Sequence, residues 1–131
     1  MLHNSAAVLI GILNNTIILT KRSAELRSFT GQVCLPGGKF DDSDTSIVAT
    51  AIREFHEEVC FTGSVEPFLC MLPESSVVSK QCVYPVVARL NGEISGFNSA
   101  EVAKLLFISL DELDLSKFSI NPDYPSIKHN Q

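Results

Sequence analysis

The feature that most constrains the fold is a segment of helical periodicity, residues 46–60, in a chain whose other apolar runs resemble short β-strands. On a wheel of ~100° per residue, its apolar side chains fall within a stripe ~60° wide. The stripe consists of Val48, Ile52, Phe55 and Val59. With Asp44 or Thr45 as its N-cap, this segment predicts one amphipathic helix in the middle of the chain.

The remaining apolar runs predict strands around this helix. Residues 5–13 and 16–19 are β-prone and are joined by Asn14-Asn15, which predicts a hairpin. Asn91-Gly92 is a second turn signal. The other strand candidates are residues 32–35, 67–72, 82–90 and 104–108. Strands outnumber helices, which favours a mixed α/β (α+β) fold with a mixed sheet and helices packed on its faces.

Length and charge limit the classes of function. A chain of 131 residues fits a single domain, expected over residues 1–131. Its net charge of −5 argues against a nucleic-acid partner, and its longest early apolar run is too short to span a membrane. No leader or terminal address is visible, so a soluble intracellular protein is expected. Four cysteines without a CxxC pair predict small buried side chains in a reducing compartment.

Three carboxylates cluster on the predicted helix. Glu54, Glu57 and Glu58 occupy an arc ~100° wide that points away from the apolar stripe. Arg53 lies one turn before Glu57 and can pair with it. Such an arc is compatible with a solvated acidic face. On the helix motif alone that is the more common interpretation. The arc is also compatible with a site for Mg²⁺ or Mn²⁺, which prefer oxygen ligands and would relieve the repulsion among the carboxylates.

The loop before the helix favours the metal site. Pro36-Gly37-Gly38 includes two residues without side chains, so its backbone can approach a ligand or metal closely. An acidic loop with Asp41, Asp42 and Asp44 follows. A strand, a Gly-Gly turn, an acidic loop and Arg-Glu-x-x-Glu-Glu form a far more specific pattern than the helix alone.

This pattern resembles the Nudix hydrolases, whose box joins a Gly-rich loop to a helix carrying Arg-Glu-x-x-Glu-Glu. Residues 19–38, the Gly37-Gly38-Lys39 loop and the spacing to Arg53 look like the coenzyme A diphosphatase branch of that family. The similarity is densest over residues 17–61, with a weaker match at 98–102. It implies the Nudix fold, a mixed β-sheet sandwiched between helices. Because the sequence stops early, we expect it to lack the C-terminal strand and helix.

The resemblance also implies roles for the residues that match the box. Glu54 and Glu58 would be the ligands of Mg²⁺ or Mn²⁺, and Glu57 would add charge or act as the base. Arg53 would orient the glutamates through an ion pair. Glu101 is the candidate for the carboxylate that completes such sites from a second loop.

Substrate would be held by the segment before the box. The implied substrate-binding residues are Arg22, Ser23, Arg27, Gly37 and Gly38. Arginine suits phosphate groups because its planar fork binds oxyanions through two hydrogen bonds. The implied reaction is hydrolysis of coenzyme A, or its acyl form, to 3′,5′-ADP and 4′-phosphopantetheine.

Two departures from the family pattern are visible. Cys60 stands where the box has the glycine that ends the helix in a left-handed conformation, which costs a non-glycine residue ~1 kcal/mol. Replacing Cys60 with glycine is therefore expected to stabilise the chain. Thr45 stands where the general box has glutamate, and Asp44 is the candidate substitute.

The alternatives are a Nudix hydrolase of another nucleoside diphosphate, such as ADP-ribose or NADH, and a non-catalytic domain that binds coenzyme A or a nucleotide. The sequence leaves open the acyl-CoA preference, the oligomeric state and the compartment, cytoplasmic or peroxisomal.

Overall fold

A computed structural model describes residues 4–25, 31–75 and 80–113. Within them the chain forms one α-helix, one short 3-10 helix (Leu110–Glu112) and eight β-strands. The strands are β1 (Ser5–Leu13), β2 (Thr16–Arg22), β3 (Val33–Cys34), β4 (Gly37–Lys39), β5 (Val59–Cys70), β6 (Glu74–Ser75), β7 (Cys82–Phe97) and β8 (Val102–Ser109). The helix is α1 (Ile47–Glu58).

The predicted hairpin at the start of the chain is confirmed. β1 and β2 pair antiparallel, with Leu13 opposite Thr16. Asn14 and Asn15 between them have φ of 49° and 65°. Asparagine tolerates this left-handed conformation better than most residues, and the turn matches the twist of the strands. Because successive side chains of a strand point to opposite faces, the apolar run of β1 buries side chains on both faces of the sheet.

The sheet is mixed, as predicted. β1 lies at its centre, antiparallel to β2 and β4 and parallel to β7. The main order is β3-β2-β1-β7-β5, and β8 pairs with β2. The strand predicted at residues 32–35 ends before Pro36, as β3, and Gly37 and Gly38 then pair in β4 against Ala7 and Val8. This pairing places the glycine loop beside the central strand.

The helix begins one residue later than its predicted start and ends two residues earlier. Its N-cap is Ser46, whose hydroxyl accepts a hydrogen bond from the Ala49 N–H at 3.1 Å, so the predicted caps Asp44 and Thr45 are wrong. Ala51 and Phe55 are completely buried in the cluster between α1 and one face of the sheet. The apolar stripe therefore packs as the periodicity predicts.

Cys60 does not end the helix, and the expectation of a left-handed residue there is wrong. The helix ends at Glu58, Val59 has extended backbone, and Cys60 already pairs with Gly96 in the β5–β7 ladder. The chain passes directly from helix to strand, so no residue has to reverse its direction. The proposed benefit of glycine at position 60 therefore has no structural basis.

The predicted turn at Asn91-Gly92 is also wrong. β7 runs through both residues, and Gly92 lies opposite Gly63 of β5. A Cβ on Gly63 would lie 2.7 Å from the Gly92 Cα, and φ is +143° at Gly63 and +157° at Gly92. The pair therefore allows two long strands to approach closely, and the predicted strands at 67–72 and 82–90 are parts of longer elements.

Two apolar clusters lie on opposite faces of the sheet. One includes Leu9, Ile18 and Phe55 beneath α1, and the other includes Val8 and Leu19. The mixed α+β fold with a mixed sheet is confirmed, with one α-helix in the described residues. The expected lack of a C-terminal strand and helix concerns residues 114–131, which lie outside them. No helix in the described part of the chain is long and apolar enough to cross a membrane.

The cysteines differ in environment. Cys34 is buried and Cys82 is half-buried, whereas Cys60 and Cys70 are exposed. The prediction of buried cysteines is therefore correct for Cys34 and wrong for Cys60 and Cys70. Both exposed residues lie on β5, which pairs with β7 on one side only among the described strands.

Candidate active site

The two glycines of β4 allow close packing on two sides. A Cβ on Gly37 would lie 2.8 Å from the Val8 Cα of β1, and a Cβ on Gly38 would lie 2.6 Å from both carboxylate oxygens of Glu54. A side chain at position 37 would therefore push β4 away from β1, and one at position 38 would displace Glu54 of α1. From the sequence, the glycines were expected to allow close approach of a ligand or metal. In the structure Gly37 allows close approach of β1, and Gly38 allows close approach of Glu54.

Glu58 is the buried carboxylate of this region, with 7% of its surface exposed. Its Oε2 accepts a hydrogen bond from the Gly37 N–H at 3.2 Å. Burial raises the pKa of Glu58 to about 8; the charges of Glu54 and Glu101 add to this, while the Gly37 hydrogen bond and the Arg22 charge lower it. We call Glu58 with Gly37, Glu101 and Arg22 the Glu58 site.

The burial of Glu58 contradicts the helical wheel, which placed all three glutamates away from the buried face. The wheel counts only the helix's own apolar stripe, whereas β4 covers a second side of α1 near Glu58. Glu57 follows the prediction, since about half of its side chain (49%) is exposed. Glu54 is half-buried, and its pKa is raised mainly by burial and next by the charge of Glu57.

Arg53 connects the other carboxylates, as predicted for its pairing with Glu57. Its Nη1 donates to Glu57 Oε2 at 2.9 Å and to Glu54 Oε2 at 3.0 Å. Its Nε and Nη2 donate to the two oxygens of Asp44 at 2.8 and 3.0 Å, and Nη2 also donates to the Lys39 carbonyl. We call Arg53, Asp44, Glu54 and Glu57 the Arg53 cluster.

Asp44 fixes the direction of the Arg53 guanidinium. Its side chain is 4% exposed and also accepts a hydrogen bond from the Thr50 hydroxyl at 2.8 Å. The Arg53 hydrogen bonds hold the pKa of Asp44 well below its usual range, and the same bonds raise the pKa of Arg53. Asp44, the candidate substitute for the box glutamate at position 45, thus forms the ion pair with Arg53.

Glu101 lies in the loop between β7 and β8, close enough for its charge to raise the pKa of both Glu54 and Glu58. Its carbonyl accepts a hydrogen bond from the Ser23 N–H at 3.0 Å. Asn98 of the same loop donates to the Glu101 carboxylate at 3.1 Å. Asn98 was not nominated from the sequence, although it begins the short segment that matches the family there.

The predicted substrate-binding residues lie partly at the same corner. Arg22 ends β2, and its charge acts on Glu58. Ser23 is buried, and its hydroxyl accepts a hydrogen bond from the Glu25 N–H, so it shapes the loop. Gly37 and Gly38 contact the glutamates as described. Arg27 lies outside the described residues.

The carboxylates fit a hard divalent cation. Among the described residues, no three His, Cys, Asp or Glu side chains converge in a metal-coordinating arrangement. Glu54 and Glu58 nevertheless supply two neighbouring carboxylates whose raised pKa values reflect burial. Mg²⁺ usually keeps several waters and binds one or two carboxylates together with substrate phosphates, so two such groups are sufficient.

The fold has clear relatives of known structure. The chain superposes with a TM-score of 0.71 on a Nudix hydrolase from Nitrosomonas europaea, at 21% identity, covering 92% of this chain and 62% of that one. It superposes with a TM-score of 0.64 on a MutT protein from Methanosarcina mazei Go1, also at 21% identity, covering 92% and 85%. At this level of identity, the similarity shows the fold alone.

Sequence comparison gives the family. The chain is 40% identical over 127 residues to an uncharacterised Nudix hydrolase NudL from Pectobacterium atrosepticum, covering 94% of this chain and 64% of the relative. It is 42% identical over 121 residues to the protein of that description from Yersinia pestis, covering 88% and 61%. The chain thus spans less than two thirds of these relatives' length, and their bacterial origin gives a peroxisomal location no support. The NUDIX domain model matches residues 2–130, and the chain therefore belongs to the Nudix family.

Proposed function

We propose that this chain is a single Nudix domain that hydrolyses the diphosphate linkage of coenzyme A or acyl-CoA in the presence of Mg²⁺ or Mn²⁺. The observation that carries the proposal is the Glu58 site. A carboxylate whose pKa is raised to about 8 by burial lies beside two further carboxylates and an arginine. Such an arrangement destabilises an empty site and favours a cation together with an anionic substrate.

Each side chain has a proposed role that follows from its contacts. Glu54 and Glu58 would hold the cation, which when bound would polarise the diphosphate and lower the pKa of an attacking water. Arg53 keeps Glu54 and Glu57 in place through its hydrogen bonds. Glu57 is exposed enough to add charge or accept a proton, and Glu101 faces the same site from the second loop.

Arg22 and Arg27 are proposed to bind the phosphates of the substrate. Arg22 lies within electrostatic reach of Glu58, at the end of β2. Coenzyme A carries a 3′-phosphate that ADP-ribose lacks, and an arginine at that group would favour one substrate over the other. The preference for coenzyme A rests on the similarity of residues 19–38 to the coenzyme A diphosphatase branch.

Product analysis tests the proposal. The purified chain is incubated with coenzyme A and Mg²⁺ or Mn²⁺, and in parallel with ADP-ribose and NADH. We expect equal amounts of 3′,5′-ADP and 4′-phosphopantetheine, with slower cleavage of the other two compounds. Coenzyme A left intact by a folded chain that binds Mn²⁺ would contradict the proposal and favour a non-catalytic binding domain.

A substitution at Arg22 tests the substrate preference. Each charge-assisted hydrogen bond contributes ~1.5–3 kcal/mol, which is tenfold or more in kcat/KM. Arg22→Ala, and likewise Arg27→Ala, should therefore reduce kcat/KM for coenzyme A more than for dephospho-CoA. Arg89→Ala, at an exposed arginine on β7, is the matched control. Equal losses on the two substrates would mean that these arginines serve the diphosphate or the fold.

A further inference from the structure

Asn98 connects three parts of the site. Its backbone N–H donates to the Glu58 carbonyl at 3.0 Å, and its side-chain Nδ2 donates to the Glu57 carbonyl at 3.3 Å. The same Nδ2 donates to Glu101 Oε2 at 3.1 Å, while Oδ1 accepts from the Ala100 N–H at 3.1 Å. The β7–β8 loop is thereby attached to the last turn of α1.

The hydrogen bonds define which way the Asn98 amide points. Because Oδ1 accepts from the Ala100 N–H, the NH₂ group must face the helix end and Glu101. Two N–H donors then meet two acceptors, the Glu57 carbonyl and the Glu101 carboxylate. Reversing the amide would place an oxygen against both acceptors and an NH₂ group against a donor. The amide is therefore held in one orientation by its full set of partners.

We infer that Asn98 is a positioning residue that holds the Glu101 carboxylate beside the end of α1 that carries Glu58. Glu101 needs such a donor because the negative charge of Glu54 repels it and its side chain has several rotatable bonds. The backbone bonds of Asn98 alone would fix the loop but leave the Glu101 side chain free to turn away. This inference rests on the proposed hydrolysis, in which Glu101 completes the carboxylate set.

Asn98→Ser separates the two tasks of the side chain. A serine hydroxyl can still accept from the Ala100 N–H, as in other short turns, but cannot replace the NH₂ group that binds Glu101 and the Glu57 carbonyl. The loss of the Glu57 bond is the same whether or not Glu101 is altered. With coenzyme A and saturating Mg²⁺, we expect kcat to fall about 10- to 100-fold, the range seen when groups that orient site ligands are lost. Asn91→Ser, at an exposed asparagine of β7, should keep the wild-type rate and melting temperature.

A double-substitution cycle with Glu101→Gln gives the decisive result. If Asn98 acts through Glu101, Asn98→Ser should change kcat by less than about twofold once Glu101 is already altered. An undiminished effect in that background would mean that Asn98 only supports the fold, and a wild-type rate in Asn98→Ser would overturn the inference at once. An active wild type in either case shows that the proposed function still stands. A folded wild type without activity on coenzyme A overturns the proposed function, and this inference with it.

Discussion

Two neighbouring groups of carboxylates at α1 and its adjoining loops have different electrostatic environments. In the Arg53 cluster, one guanidinium donates to Asp44, Glu54 and Glu57, and the pKa of Asp44 is lowered. In the Glu58 site, burial raises the pKa of the carboxyl to about 8 despite the Gly37 hydrogen bond and the Arg22 charge. The first group is stabilised by its ion pairs, whereas burial disfavours the charged form of Glu58 in the second.

The difference supports the proposed division between carboxylates that orient the site and carboxylates that bind. A paired carboxylate such as Asp44 is most stable where it is, because moving away would leave the half-buried Arg53 without that partner. A buried carboxylate with an elevated pKa gains most from a new positive partner, and such groups concentrate at functional sites. Glu54 combines features of both groups, since it accepts a hydrogen bond from Arg53 and has a pKa raised mainly by burial. In the proposed function it connects the Arg53 cluster to the Glu58 site.

The largest expected effect comes from Glu58→Gln. The amide keeps the shape and can still accept the Gly37 hydrogen bond, but it removes the charge that a cation would meet. We expect hydrolysis of coenzyme A to fall ~1000-fold or more, equivalent to ~4 kcal/mol of transition-state stabilisation. The same substitution at Glu93, exposed on β7, should leave the rate unchanged. Wild-type turnover by Glu58→Gln at saturating Mg²⁺ would mean that hydrolysis does not need the charge of Glu58. The proposed contrast between the Glu58 site and the Arg53 cluster would then have no basis.

The next effect concerns the pH dependence of stability without metal. Glu58 has an ordinary pKa of 4.5 when unfolded and about 8 when folded, so the folded state holds this proton more tightly. Its favourable contribution is complete below pH 4.5 and is lost as pH rises through 8, a loss of several kcal/mol. Denaturant titrations of wild type, Glu58→Gln and Glu93→Gln measure this loss.

The three curves distinguish the possible results. Wild type and Glu93→Gln should lose stability together between pH 4.5 and 8, while Glu58→Gln should show a flatter profile and be the most stable of the three at pH 8.5. Parallel curves for all three proteins would show that the folded structure accommodates a charged Glu58. In that case the two groups of carboxylates would not differ as described.

Asp44→Asn should have a smaller effect, because it removes an orienting group instead of a binding group. Two charge-assisted hydrogen bonds to Arg53 are lost, and the asparagine NH₂ group would face the guanidinium. We expect ~1.5–3 kcal/mol lower stability and a 10- to 100-fold lower kcat. Asp111→Asn, at an exposed aspartate beyond β8, is the matched control. Unchanged kcat in Asp44→Asn would show that Arg53 holds Glu54 and Glu57 in place without the Asp44 charge.

The sequence predicted those parts of the structure that depend on local spacing. The Asn14-Asn15 turn, the apolar stripe through Phe55 and the pairing of Arg53 with Glu57 all arise within a few residues of chain. Glu54 and Glu58 were assigned to one helix for the same reason. Arg22, far before them in the chain, was linked to them by the family resemblance of residues 19–38 and not by local spacing. Their proposed roles remain predictions.

The errors arose where distant segments meet. Glu58 is buried because Gly37, 21 residues earlier, lies against the end of α1. Asn91-Gly92 has the sequence of a turn, yet pairing with Gly63 keeps it within a strand. Asn98 was given no role from the sequence. Its side chain reaches the end of α1 by a hydrogen bond to the Glu57 carbonyl, 41 residues away. A helical wheel or a turn signal contains no information about such partners.

The smallest expected effect concerns the junction between α1 and β5, which follows directly after Glu57 and Glu58. The helix ends at Glu58 and the chain is extended from Val59, so Cys60 lies in β5 opposite Gly96. Glycine at position 60 would create a Gly-Gly pair and add backbone freedom to the unfolded chain, which costs a strand interior ~0.5–1 kcal/mol. Cys60→Gly should therefore lower the melting temperature slightly and leave kcat unchanged. Cys60→Ser controls for loss of the exposed thiol, since it keeps a side chain in the strand. A higher melting temperature in Cys60→Gly, but not in Cys60→Ser, would mean that residue 60 favours the left-handed conformation that ends the helix in the family pattern. The helix end would then differ from the one described, and with it the hydrogen bond between Glu58 and the Gly37 N–H.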